Sequence, residues 1–343
     1  MNEVGYVYDP LYLEHRSLGH PESPERLEAI MERLISSGLL EALVSVPPKD
    51  ATSAHLEMVH SWELVAQIRA KADEGGGWLD PDTYVGSTSF AVALRAVGGC
   101  LAALEGTMTG QIKKAFCLIR PPGHHATPNK AMGFCMFNNV AITAKVALSE
   151  WGVNKVAIVD FDVHHGNGTQ ETFYSDPQVL FFSTHQYPFY PGTGYWAEIG
   201  EGEGRGTTIN VPLPRGCRTQ EYLRVYEEVC LPALYRFQPD LILVSAGFDA
   251  HFADPLANML MSTRGYYQLA SLLVRAAEEL CGGRIIFALE GGYDLTALSW
   301  SVQACLEAML GLPFTPDPLG ESPAVPGPDI EVVLGAIKRT HGL

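Results

Sequence analysis

Residues 155–170 read KVAIVDFDVHHGNGTQ. Val156, Ala157, Ile158 and Val159 form an apolar, mostly β-branched run that reads as a buried strand. It runs straight into Asp160, Asp162, His164 and His165. Burying such charge without compensation is costly, so an ion or a cleft must meet these groups. Side chains of an extended segment alternate, which puts Asp160, Asp162 and His164 on one side and His165 on the other. Asp162 and His164 can therefore grip one ion and leave room for a third ligand from another strand end. Asp249, in GFDAHFADP, is the best candidate. Two carboxylates, one imidazole and an open position suit a catalytic Zn²⁺, and ligand type alone also admits Fe²⁺ or Co²⁺.

Two further strand-like runs end in reactive groups. One leads into RPPGHHA, with His124 and His125; another leads into EGGYD, with Glu290 and Tyr293. Ligands of open α/β sheets bind beyond the carboxyl ends of strands, so these ends mark one site. Not every polar residue belongs to it. Asp160 is expected to support the site from behind, and His165 to be a satisfied core histidine. His251 and Asp254 read as loop formers, and His185 stands between rim and structure. His15, His20, His55 and His60 lie far off in sequence and read as structural. The glycines of GHH, GNG and EGGY fit tight turns, and none makes a nucleotide fingerprint.

The elements that must position these residues alternate. Strand-like runs cover 5–9, 115–119, 155–160, 179–185, 207–212, 240–247 and 284–292. Helical patterns cover 61–73, 87–105, 137–150, 219–236, 264–280 and 295–310, and Ser23 could cap another with Pro24 at its first position. Alternation of this kind implies a parallel, doubly wound α/β sheet. One domain over 1–312 is expected, followed by a Pro-rich tail, 313–343, packing on or near it. No apolar run approaches the ~18 residues of a membrane helix, and no signal peptide is expected at the N-terminus. Seven cysteines without a CxxC pair suggest reduced thiols and a cytoplasmic setting. A net charge of −16 argues against nucleic acid as partner.

RPPGHHA, GFCMFNNVA, VDFDVHHGNGTQ, YPGTG, GFDAHFADP and LEGGYD, in this order, closely resemble the zinc-dependent histone deacetylase family. The likeness covers roughly residues 15–312 and leans to the class II branch and its bacterial amidohydrolases. It implies an arginase/deacetylase-like fold, with one mainly parallel eight-stranded sheet and helices on both faces. It implies hydrolysis of an acylated lysine peptide or acylated amine to amine and carboxylate, with no membrane partner and with homo-oligomerisation open. By position, Asp162, His164 and Asp249 would be the zinc ligands. His124, His125 and Tyr293 would be catalytic, with Asp160 orienting His124 and Asn167 orienting His125. Gly133, Phe134 and Tyr190 would line the acyl-lysine tunnel, and Asp82 would accept substrate amides at the rim. Arg26 would lie near an inner cavity. Structural K⁺ or Na⁺ would be held by Asp160, Asp162, His164, Ser183 and Thr184. A second such ion would use backbone oxygens of Phe173, Asp176, Val179 and Thr207.

Three departures from the family pattern matter. Asn167 stands where class I members carry Asp, Tyr190 where Phe is frequent, and Leu256 where a polyamine-selective member has a gatekeeper Glu. Leu256 argues against selection of a charged acetylpolyamine by that device; an acetylpolyamine amidohydrolase is nevertheless the alternative within hydrolases. A catalytically inactive acyl-lysine-binding protein is the alternative outside them.

Overall fold

The chain is described here over residues 3–343 as a computed structural model. Its strands are β1 (Val4–Val7), β2 (Val44–Ser45), β3 (Gly76–Trp78), β4 (Tyr84–Gly86) and β5 (Lys114–Cys117). They continue with β6 (Val156–Asp160), β7 (Val179–Gln186), β8 (Thr208–Leu213), β9 (Leu241–Ala246) and β10 (Ile285–Leu289). Eight of them form one sheet in the order β2-β1-β5-β10-β9-β6-β7-β8. Every pairing in it is parallel. The strands at its centre are buried throughout, as sheets covered on both faces require, which is why their sequences lack polar alternation. β3 and β4 pair separately as an antiparallel hairpin that composition did not reveal.

The helices are α1 (Glu25–Ser36), α2 (Ser53–Glu57), α3 (Trp62–Asp73), α4 (Ser89–Met108), α5 (Asn139–Glu150) and α6 (Asn167–Phe173). They continue with α7 (Thr219–Val225), α8 (Leu231–Phe237), α9 (Thr263–Cys281), α10 (Leu295–Leu310) and α11 (Glu331–His341). Three differ from expectation. Ser23 does not cap α1: Pro24 occupies the N-cap in helical geometry, with no side-chain cap hydrogen bond. The helix expected over 219–236 is found over Thr219–Phe237, with a π-helical stretch at Tyr226–Cys230 in its middle. Pro232, at the start of α8, lacks the N–H that a regular α-helix would use there, which accounts for the widened stretch. The segment after 313 ends in α11, whose Leu334 and Ile337 are buried against the β8 side of the sheet.

One compositional expectation is corrected. α4 is long and apolar enough to cross a membrane by length and composition. Most of that window is nevertheless buried inside the protein. α4 packs on β1, β5 and α5, and Gly98 and Gly99 let it lie against neighbouring chain. A Cβ at Gly98 would stand 1.6 Å from the Lys49 carbonyl oxygen.

Candidate active site

The order of the sheet makes β5, β10, β9 and β6 consecutive neighbours. These are the four strands whose carboxyl ends carry the reactive residues. Register levels them: Asp160 pairs with Ser245 on β9 and Ser183 on β7. Just beyond lies a pocket of about 250 Å³ lined by His124, His125, Asp162, His164, Gly291 and Tyr293. Gly133, Phe134, Tyr190, Phe189, Asp82 and Leu256 form its walls and mouth.

At its base, ligand atoms of Asp162, His164 and Asp249 lie within 4.8 Å of one another. His164 Nδ1 is 3.2 Å from Asp162 Oδ1 and 3.1 Å from Asp249 Oδ2. Backbone amides fix both carboxylates. Gly291 N donates to Asp162 Oδ2 at 2.8 Å and Val163 N to Asp249 Oδ1 at 2.9 Å. Two glycines make room for them. A Cβ at Gly247 would lie 2.0 Å from Asp162 Oδ2, and one at Gly291 would lie 2.3 Å from Asp249 Oδ2. Burial and the neighbouring Asp162 push the Asp249 carboxyl up, as expected of two carboxylates crowded together. This donor set fits a divalent ion with an open position.

A second convergent group, His124, Cys135 and Glu290, fits a metal less well. Burial pushes the Cys135 thiol up, and its Sγ donates to Gly133 O at 3.3 Å. A protonated thiol is a poor ligand. Glu290 Oε2 is already taken by the amides of Gly123 and His124, at 2.6 and 3.2 Å. This group braces the loop that carries the paired histidines.

The two histidines differ sharply. His124 Nδ1 is 3.0 Å from Asp160 Oδ2. Burial works to lower its pKa, but Asp162 and Asp160 outweigh burial and push it up to about 10. His125 Nδ1 lies 2.8 Å from Asn167 Oδ1. Burial, with the imidazoles of His124 and His164 beside it, takes its pKa well below the usual value. The amide oxygen only accepts, so Nδ1 carries the proton and Nε2 is a free base. Asn167 Nδ2 faces His125 O and Met132 Sδ, which agrees with that orientation of the amide.

Tyr293 faces Phe134 edge-on, with ring centroids 5.9 Å apart. Burial raises its phenol well above 10, so it remains a donor. Its backbone is held from two sides. Asp254 Oδ2 accepts from Tyr293 N at 2.6 Å. Arg26, fully buried, donates to Glu290 O at 2.5 Å and Gly292 O at 2.7 Å, and its guanidinium lies 5.0 Å from the Tyr293 ring centroid. Arg26 is itself paired with Glu22, which also meets Arg120. Burial opposes ionisation of Glu22, but the two guanidiniums hold its carboxyl down at about 2.

The walls are aromatic. Tyr190 stands edge-on to His125 at 5.1 Å, and Phe189 stacks on His164 at 5.3 Å. Phe134 holds φ at 69°, a left-handed conformation uncommon outside glycine, next to Gly133 at 58°. A Cβ on Gly133 would meet His125 Cδ2 at 2.4 Å. His20 packs edge-on to Phe134 at 4.6 Å, and one of its ring nitrogens lies 3.0 Å from Asp82 O.

His165, read as a core histidine, bonds to Thr193 and Gln170. His185, left between rim and structure, is buried and bonds to Ser183 and Gly194. Of the residues read as binding monovalent ions, Thr184 Oγ1 is 3.5 Å from Asp160 O. Phe173 O, Asp176 O and Thr207 O each accept a backbone or side-chain donor, from Asp176 N, Val179 N and Phe181 N among others. Sequence reasoning missed Phe189, the anchoring role of Asp254, and the Glu22–Arg120 pair. For Arg120 the only signal was a charge at the end of an apolar run, and for Glu22 there was none.

The histone deacetylase domain model matches residues 20–309. A probable deacetylase of Archaeoglobus fulgidus is 42% identical over 312 residues, 90% of this chain and 86% of its own length. Histone deacetylase 14, chloroplastic, of Arabidopsis thaliana is 43% identical, over 87% of this chain and 75% of its own. A histone deacetylase-like amidohydrolase of Pseudomonas aeruginosa is 40% identical, over 90% and 80%. The crystal structure of the HDA15 HD domain superposes with a TM-score of 0.90 at 35% identity, covering 99% of this chain and 94% of that one.

Proposed function

Since the chain belongs to the histone deacetylase domain family, a family of deacetylases and amidohydrolases that implies a divalent metal, we propose that it is a zinc-dependent deacylase. Its substrate on this reading is the acylated ε-amine of a lysine. The observation that carries the proposal is the metal-fitting Asp162–His164–Asp249 set beneath an aromatic slot that also holds two histidines of opposite character. A divalent ion in that set would supply Lewis-acid polarisation of the acyl carbonyl and acidify the attacking water.

The chain's own residues divide the remaining work. His125, neutral and held by Asn167, takes a proton from water on Nε2. His124, whose Nδ1 is held by the Asp160 carboxylate, is the donor to the leaving amine. Tyr293 donates its phenolic hydrogen to the oxygen on which negative charge develops. Phe134 and Tyr190 exclude water and enclose the four-carbon stem of an acyl-lysine. Asp82 at the mouth is placed to accept backbone amides of a peptide.

Leu256 at the mouth, an apolar side chain, supplies no carboxylate of its own to a polyamine's free ammonium, which supports lysine. Structural K⁺ or Na⁺ behind the site belongs to the same proposal and rests on the family likeness. We also propose a reducing, cytoplasmic location, supported by seven unpaired, buried cysteines.

The test is a panel of acetyl-lysine peptides, longer acyl-lysines, acetylputrescine and acetylspermidine, presented to the zinc-loaded protein. Turnover of acyl-lysine with little turnover of the polyamines is expected. The reverse preference would replace the substrate assignment. Zinc-independent turnover, or none, would remove the proposal.

A further inference from the structure

In a parallel sheet the amino-terminal strand ends lie at the pole opposite the active site. There, ahead of β6 and β8, three cations meet at one cavity. Net charge is −16, yet Lys155, Arg205 and Arg236 line one cavity of about 370 Å³. Among the described residues, none of the three forms an ion pair. Three unpaired cations at one cavity are unusual where carboxylates outnumber cations 39 to 23.

Helix ends account for part of this charge. Lys155 Nζ donates to Phe237 O at the end of α8, and Arg236 Nη1 to His341 O at the end of α11. Each helix terminus carries roughly half a negative charge. Two termini therefore offset about one of the three cations, and a surplus of about two remains. The wall adds a donor or acceptor in need of a partner. His341 is 8% exposed and lines the cavity; its Nε2 makes no hydrogen bond of normal geometry, and the Gly206 backbone is the polar group acting on the ring. Burial, then Arg236, lower its pKa to about 4. No carboxylate figures among the groups acting on it. Leu180 and the Phe237 ring give the same cavity an apolar side. His341 lies in α11, beyond the residues 20–309 that match the family domain.

We propose that this cavity is a binding site for a small phosphate-bearing anion, gripped by Lys155, Arg205 and Arg236 and hydrogen-bonded by His341 Nε2. Guanidiniums present paired N–H donors that match phosphate oxygens, and a dianion balances the surplus of charge. Phe237 and Leu180 give room for an apolar portion of the ligand, such as a nucleoside.

The experiment titrates inorganic phosphate and, separately, adenosine monophosphate into the whole protein by calorimetry at constant ionic strength set with sodium chloride. Saturable binding of one or both at one site per chain is expected. Lys155 and Arg205 are exposed and lie outside the active site, so the double variant Lys155→Ala/Arg205→Ala should keep its circular dichroism and acetyl-lysine turnover. In it, binding should weaken at least about tenfold. Absence of saturable binding, equal affinity in the double variant, or an effect that sodium chloride alone reproduces would each overturn the proposal. So would binding seen only with an RNA oligonucleotide.

Discussion

The catalytic contrast rests on single atoms. Asn167 gives His125 a neutral acceptor, whereas Asp160 gives His124 a charged one. Asn167→Asp would place a carboxylate against His125 Nδ1 and favour the imidazolium. The pKa of His125 rises, so the base is lost at a higher pH on descent. The acidic limb of kcat/KM should therefore move to higher pH; an unchanged or acid-shifted limb would uncouple Asn167 from the base. Tyr293→Phe deletes one donor and keeps the ring against Phe134. An interaction stronger in the transition state than in the ground state lowers kcat more than it raises KM. A kcat loss of roughly 10²–10³ is expected on acetyl-lysine, with metal content intact. Trifluoroacetyl-lysine, with its more electrophilic carbonyl, should lose less. Equal, small losses on both substrates would leave Tyr293 a packing residue.

At the scale of elements, the turn after β10 is held in place by α1. Arg26 bonds two carbonyls of that turn and one carboxylate oxygen of Glu22, all without solvent. Arg26→Met keeps the volume but leaves both carbonyls unpaired, while Glu22 keeps Arg120. Leaving a buried acceptor unpaired costs about 1–3 kcal/mol each. The melting temperature should fall and kcat should fall with it, because Tyr293 loses its support; unchanged stability would show that the turn stands without Arg26. The loop carrying Phe189 and Tyr190 depends similarly on Gly194, at φ 88°, where a Cβ would meet His185 Nε2 at 2.4 Å. Contacts of this kind mark the boundary of what sequence showed. The four central strands, and the residues at their ends, were legible because apolar runs stop abruptly at Asp160, Asp249, His124 and Glu290. The order of the strands was not, since nothing local says that β10 lies between β5 and β9. The β3–β4 hairpin was hidden because Gly76 and Gly77 carry no side-chain pattern. Asp254 read correctly as a loop former, but that its loop holds Tyr293 depends on a contact 39 residues away.

At the scale of the whole molecule, acid stability depends on histidines buried as neutral rings, and His60 is the cleanest case because no charged group acts on it. Its Nδ1 is 2.9 Å from Thr127 O, and its Nε2 accepts from Asn138 N at 2.9 Å. It thus ties the loop after His125 to the start of α5, where Asn138 caps the helix. Burial, partly offset by the Thr127 carbonyl, lowers its pKa from 6.5 to about 4. The unfolded chain therefore binds a proton that the folded chain resists. The sign follows: the contribution is complete above pH 6.5, declines as pH falls from there, and is exhausted near pH 4. At 1.36 kcal/mol per unit the total is about 3 kcal/mol, a large share of the 5–15 kcal/mol typical of a folded protein. Other groups titrate across the same window in both directions, with Glu290 pushed up to about 7 by burial and His185 down to about 4. A difference measurement cancels them. His60→Leu should be less stable than the parent protein at pH 7.5, because it orphans Thr127 O and Asn138 N. That gap should narrow by about 3 kcal/mol between pH 6.5 and 4, since the variant has no imidazole to protonate. Denaturant midpoints of both proteins across this range give the gap directly. A constant gap would mean that His60 accepts its proton without opening the loop.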